Sequence, residues 1–208
     1  MQQYKGIIFD FDGVILDSVD VKTKAFASMY AFYGEDIVQQ VVEYHLAHGG
    51  ISRFEKFKHY SNHLLHEVLS DEASVELGEQ FNQLVFDKVI AADFIPGALS
   101  FIEKVQHQLP LFICTGTPET EINLILKARK LDSYFTKVYG SPKKKKEIIA
   151  EIKSLLNCSS QELLYFGDAM TDYEAAMHHQ IDFIGVINSD NPFPKDTKVI
   201  HAFDEIEA

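Results

Sequence analysis

The chain has 208 residues and a formal net charge of −12, with 19 Lys and Arg against 31 Asp and Glu. That balance argues against a nucleic-acid-binding surface, and any phosphate site must supply its own local positive charge against a repulsive average field. Two cysteines without framework spacing, Cys114 and Cys158, point to a reducing compartment. Residues 1–20 carry Asp10, Asp12 and Asp17, unlike a secretory leader, and no apolar run approaches membrane-spanning length. A soluble cytoplasmic protein with no membrane partner is expected, as monomer or homodimer. The length suits one core of about 130 residues with an inserted module.

In chain order, Ile7-Ile8-Phe9 is a short apolar run that reads as a strand buried on both faces. It ends in Asp10-Phe11-Asp12-Gly13, where alternation turns both carboxylates the same way, about 7 Å apart, and turns Phe11 into packing. Helical spacing then runs from Ser18 to Tyr33, over 36–48 and 53–69 on either side of Gly49-Gly50, and from Asp71, as N-cap, to Ala91. From residue 94 the pattern changes. Pro96-Gly97 opens a helix to His107, followed by strands over Leu111–Cys114, Lys137–Tyr139, Leu163–Phe166 and Phe183–Val186. Helices from Pro118, Pro142 and Thr171 alternate with them. Alternating strands and helices predict a parallel α/β sheet covered on both faces. The first strand needs neighbours in that sheet, so 18–92 is a helical insertion and 1–17 with 93–208 is the core. Asp17-Ser18 and Ala92–Pro96 are the linkers.

Ligands of such sheets sit beyond the carboxyl ends of the strands. Those ends carry Asp10 and Asp12, then Thr115-Gly116-Thr117-Pro118, then Gly167-Asp168-Ala169-Met170-Thr171-Asp172. Helix capping accounts for Thr117 with Pro118, which leaves Thr115 and the Gly116 amide to bind an anion. A capping box accounts for Asp172 as well as a ligand role does, whereas Asp168 lies outside the helix. In the run Lys143–Lys146, solvation accounts for three members. Lys145 lies three, four and seven residues before Ile148, Ile149 and Ile152, so it shares the core-facing stripe and points its ammonium at the carboxylates, with Lys144 next in line. His59, His63 and His66 have helical spacing without a metal motif and read as a packed or solvated face. Phe26, Tyr30, Tyr44, Phe54 and Phe57 read as the core of the insertion. The break at Gly49-Gly50-Ile51-Ser52-Arg53 is expected to face the mouth, with Arg53 forking onto phosphate or carboxylate.

The ordered set DFDGVILDS, TGT, a lysine at a helix start and GDAMTD resembles the haloacid dehalogenase-like (HAD) hydrolase superfamily, in its phosphoglycolate-phosphatase-like and β-phosphoglucomutase-like branch. The resemblance spans essentially the whole chain. It implies a Rossmann-like core with a helical cap, and a Mg²⁺-dependent phosphatase acting on a small phosphorylated metabolite through an aspartyl-phosphate. Asp10 would be the nucleophile, Asp12 the general acid and base, and Thr115 and Lys145 the groups that steady the phosphoryl charge. Asp10, Asp168, Asp172 and Asp12, the last through its carbonyl, would surround the metal, while Gly116, Arg53 and Lys22 would contact substrate. Many relatives place the lysine before Pro-x-Pro, whereas here Gly140-Ser141-Pro142 precedes it.

A sugar-phosphate mutase of the same superfamily keeps this chemistry. Many mutases carry His where Lys22 stands, which favours hydrolysis here. A phospho-aspartate receiver module shares the carboxylates, Thr and Lys but has no use for the insertion or for Asp12.

Overall fold

Six parallel strands, β1 (Gly6–Phe9), β2 (Leu111–Pro118), β3 (Lys137–Ser141), β4 (Leu163–Gly167), β5 (Asp182–Val186) and β6 (Val199–Ile200), form one sheet in the order β3-β2-β1-β4-β5-β6. The central strand β1 pairs with β2 and β4 and is buried throughout, which is why its sequence is uninterruptedly apolar. Ile7 and Phe9 enter one half of the core and Ile8 the other. The structure is a computed structural model describing residues 3–188 and 191–206. Residues 1, 2, 189, 190, 207 and 208 of the expected core segments lie outside it.

After β1 the chain runs through the inserted helices α1 (Val19–Tyr30), α2 (Glu35–Ala47), α3 (Arg53–His59) and α4 (Asp71–Ala91) before it returns to the core. The chain enters and leaves this insertion along adjacent paths. The Asp17 amide donates to the Asp93 carbonyl at 2.9 Å, and the Ile95 amide to the Ile15 carbonyl at 3.0 Å. The core helices follow. Side chains of α5 (Ala98–Val105) and α6 (Glu119–Ala128) pack with Ile7 and Phe9, and those of α7 (Lys145–Leu156) and α8 (Met170–His179) with Ile8. Phe9 stacks on Phe166 at 5.3 Å, with Phe101 edge-on to both, and each such pair adds about 0.5–1.5 kcal/mol beyond its buried area. In the insertion Phe26 packs against Phe57, Tyr60 and Phe81. Tyr30 is buried there too, whereas Tyr44 and Phe54 are partly buried. His59 stacks on Tyr44 at 3.6 Å, as a packed face would.

Several boundaries move from their sequence expectations. Strand β2 runs to Pro118 rather than Cys114, so Thr117 lies in the sheet and Pro118 takes the N-cap position of α6. Helix α7 begins at Lys145 rather than Pro142. Lys144 is extended at the N-cap, and its amide is taken by the Glu147 carboxylate at 3.2 Å. Ser70, not Asp71, caps α4, its hydroxyl accepting the Ala73 amide at 3.2 Å. The third inserted helix loses α-helical pairing at His59, passes through a wider turn over Tyr60–Leu64 and ends there instead of at residue 69. The two-residue edge strand β6 had no periodicity to announce it.

Candidate active site

The carboxyl ends of β1, β2 and β4 meet the inserted helices around a cavity of about 200 Å³. Asp10, Asp12, Thr115, Gly116, Thr117 and Asp168 line it from the sheet side, and Lys22, His45, Gly50, Arg53 and Lys56 from the insertion. This is the crevice an open parallel sheet provides where its strand order reverses, on either side of β1.

Asp10 directly follows β1 and is buried. One carboxylate oxygen accepts the Phe11 amide at 2.6 Å, and the other accepts the Lys145 ammonium at 2.6 Å. Lys145 also donates to Asp172, and its burial beside Ile148, Ile149 and Ile152 follows the helical phase read from the sequence. Burial alone would lower its pKa, but Asp10 and Asp172 reverse that and raise it. Asp10 is pushed up to about 7, by burial first and by the nearby Asp172 and Asp12 charges, against the pull of Lys145. Asp172 is fully buried at the start of α8. It accepts the Tyr165 hydroxyl, Lys145 and, at 3.2 Å, the Ala169 amide. The Thr171 hydroxyl donates to the Gly49 carbonyl of the insertion at 2.6 Å.

Carboxylate oxygens of Asp10, Asp168 and Asp172 lie within 4.8 Å of one another. Asp168 is raised well above the usual carboxylate range, by burial first and then by the Asp10 and Asp172 charges. Among the described residues its carboxylate has no hydrogen-bond or salt-bridge partner. Hard oxygen donors crowded at this spacing, one of them otherwise unspent, fit a Mg²⁺ ion, which would relieve their mutual repulsion. Asp12 is not in this cluster. Its carboxylate accepts Ser18 at 2.6 Å, Thr117 at 3.1 Å and the Lys22 ammonium. Burial opposes its ionisation, yet Lys22 and these hydrogen bonds outweigh burial and hold Asp12 below its usual range.

Two sequence expectations about individual groups change. Thr117 caps nothing, since its hydroxyl bridges Lys22, at 2.8 Å, and Asp12. Its partner Thr115 accepts the Thr117 amide at 3.2 Å and still borders the cavity. Arg53 also borders the cavity, but its guanidinium forks onto Glu121 of α6 at 2.6 and 3.0 Å and lies 4.6 Å from the centre of the Phe81 ring. The Gly49-Gly50 break does reach the mouth. A side chain at Gly116 would lie 2.5 Å from the Gly50 carbonyl oxygen, so this approach requires glycine. Sequence reasoning passed over Ser18, Tyr165, His45 and Lys56. Nothing in the sequence set His45 and Lys56 apart from other polar helix positions, since Val41 and Arg53, one turn before them, show their burial only in the fold.

Comparison with known proteins bears on the family and the fold. A curated phosphatase of phosphorylated carbohydrates from Thermotoga maritima is 26% identical over 198 residues, covering 90% of this chain and 87% of that protein. The β-phosphoglucomutase of Clostridium difficile superposes with a TM-score of 0.78 at 22% identity, covering 98% of this chain and 93% of its own. A predicted phosphoglycolate phosphatase from Haemophilus somnus gives 0.76 at 18%, covering 99% and 97%. At these identities the two structures speak for a shared fold. Residues 7–186 match the family model of the haloacid dehalogenase-like hydrolases, and the chain belongs to that family.

Proposed function

We propose that the protein is a Mg²⁺-dependent phosphomonoesterase that hydrolyses a small phosphorylated metabolite through an aspartyl-phosphate on Asp10. The observation that carries this reading is the position of Asp10, held between the Lys145 ammonium and the Phe11 amide and grouped with Asp168 at the cavity floor. The carboxylates of Asp10 and Asp168 and the carbonyl of Asp12 would hold the metal, with Asp172 behind them. Bound there, a divalent cation offsets the repulsion between a carboxylate nucleophile and the phosphoryl oxygens.

Lys145, Thr115 and the Gly116 amide bind the phosphoryl oxygens and align phosphorus with Asp10. An Asp10 oxygen forms the new bond to phosphorus as the ester P–O bond breaks, and Asp12 gives the departing oxygen its proton. Asp12 then takes a proton from water, whose oxygen attacks phosphorus, releasing orthophosphate and freeing Asp10. Lys22, Ser18 and Thr117 keep Asp12 anionic at rest, which suits the second step; the first requires Asp12 to take up a proton beforehand. The insertion acts as a cap that excludes bulk water. The cavity falls below the range of about 300–1,000 Å³ typical of sites for larger ligands, in keeping with a small ester.

The test is phosphate release from a panel of metabolite monoesters with Mg²⁺, with EDTA and Asp10→Asn as controls. Activity is expected to vanish in both controls, and Asp12→Asn is expected to slow turnover by about 10²–10⁴-fold while trapping phospho-enzyme. Turnover that requires a bisphosphate activator and releases no phosphate would replace hydrolysis with the mutase reading.

A further inference from the structure

The reaction described above uses the floor of the cavity and leaves two groups in its roof unexplained. His45, on α2, is 7% exposed, and its Nε2 has no hydrogen-bond partner. Its other ring nitrogen, Nδ1, lies 2.7 Å from Lys56 Nζ, which also donates to the His45 carbonyl at 3.1 Å. An Nδ1 that accepts from Lys56 places the imidazole proton on Nε2, a buried N–H at the cavity wall with nothing to receive it.

Lys56 is 3% exposed and lies 5.6 Å above the Phe26 ring. The other cations of this wall are compensated, Lys22 by Asp12 and Arg53 by Glu121. Among the described residues, Lys56 has no carboxylate within 4.0 Å. The remaining insertion side chains that line the cavity are apolar: Val19, Phe26, Leu46, Ala47 and Ile51. The insertion's side chains thus present hydrogen-bond donors and apolar surface to the cavity, with no carboxylate or amide acceptor. A sugar or polyol hydroxyl seeks both a donor and an acceptor, whereas an anionic oxygen group only accepts.

We propose that His45 and Lys56 form the subsite for the non-reacting end of the substrate, and that this end carries an anionic oxygen group, a carboxylate or a second phosphate. The assignment rests on the phosphatase reading for the other end of the molecule. It makes His45 and Lys56 specificity-determining residues, with Arg53 excluded because its charge is spent on Glu121.

Three ester pairs that exchange the anion for a hydroxyl test it in the full-length protein with Mg²⁺. They are 2-phosphoglycolate against 2-hydroxyethyl phosphate, 3-phosphoglycerate against glycerol 1-phosphate, and 1,3-propanediol bisphosphate against 3-hydroxypropyl phosphate. The anionic member of at least one pair is expected to lead by about tenfold or more in kcat/KM, through KM, and the pair in which it leads names the anion. Lys56→Met and His45→Phe should bring that ratio towards one, whereas His45→Gln, which keeps an N–H donor, should retain most of it. Calorimetric binding of 3-phosphonopropionate against propylphosphonate reads the subsite without turnover, and the same preference should appear there and be lost in Lys56→Met. A ratio at or below one for every wild-type pair, or a ratio that survives Lys56→Met, overturns the proposal. Absence of phosphate release from all the esters would instead overturn the phosphatase reading, and the phosphonate pair would still decide the subsite.

Discussion

Arg53 of α3 and Glu121 of α6 meet as a forked ion pair that ties the insertion to the core at the cavity wall. Arg53 is buried and Glu121 nearly so, and removal of one partner leaves the other charged in a dry setting. Arg53→Met alone should cost about 3 kcal/mol of unfolding free energy in urea titration. Arg53→Met with Glu121→Leu should recover most of that loss. Equal losses in the single and double variants would show that the pair is not formed in solution.

Asp168 and Asp172 should separate in a metal titration. Asp172 spends its oxygens on Tyr165, Lys145 and the Ala169 amide, whereas Asp168 has no such partner among the described residues. Calorimetry with Mg²⁺ should find binding abolished in Asp168→Asn and weakened about 10–100-fold in Asp172→Asn, the range expected of a supporting group. Equal losses would place both carboxylates on the metal.

His45 predicts a pH dependence of stability. Burial first, then the Lys56 charge, hold its imidazole down to about 3 from an ordinary 6.5, with Lys22 adding to this and Asp12 opposing it. The unfolded chain takes up a proton near pH 6.5 that the folded protein refuses until far lower. The stabilisation is therefore complete above 6.5 and is lost as pH falls towards 3, by at most about 1.4 kcal/mol per pH unit. Thermal unfolding between pH 6.5 and 4 should slope less steeply for His45→Phe than for the wild type. Parallel slopes would mean that this ring is already charged in the folded state.

Gly116→Ala places a methyl group 2.5 Å from the Gly50 carbonyl oxygen, a backbone atom that cannot rotate away. The expected result is a loss of about 1–3 kcal/mol in stability and a raised KM as the inserted loop is pushed off the mouth. An unchanged KM would show that the loop does not rest there during turnover.

The sequence announced the features that depend on periodicity or on strand ends. The apolar run of β1 and the helical phase that buries Lys145 with Ile148 and Ile152 appear where expected, and Asp10, Asp168 and Asp172 gather beyond β1 and β4 while Asp12 stands apart from them. What it concealed depends on distant partners. Thr117 looked like a cap because Pro118 follows it, but its real partners lie about a hundred residues upstream. Arg53 had the right shape for phosphate, and only the fold brings Glu121 to it first. His45 and Lys56 looked like ordinary helix positions, because their polarity takes on meaning only once Phe26 and the cavity enclose them.

The backbone at Gly50 has a consequence for Lys145. A side chain there would stand 2.6 Å from the lysine nitrogen and 2.4 Å from the Thr171 hydroxyl, so bare main chain roofs the ammonium. Lifting that main chain would hydrate the nitrogen, and in the higher dielectric its pull on Asp10 would fall several-fold. The charge state of Asp10 is thereby tied to the seating of a segment whose two glycines bring no side chain of their own.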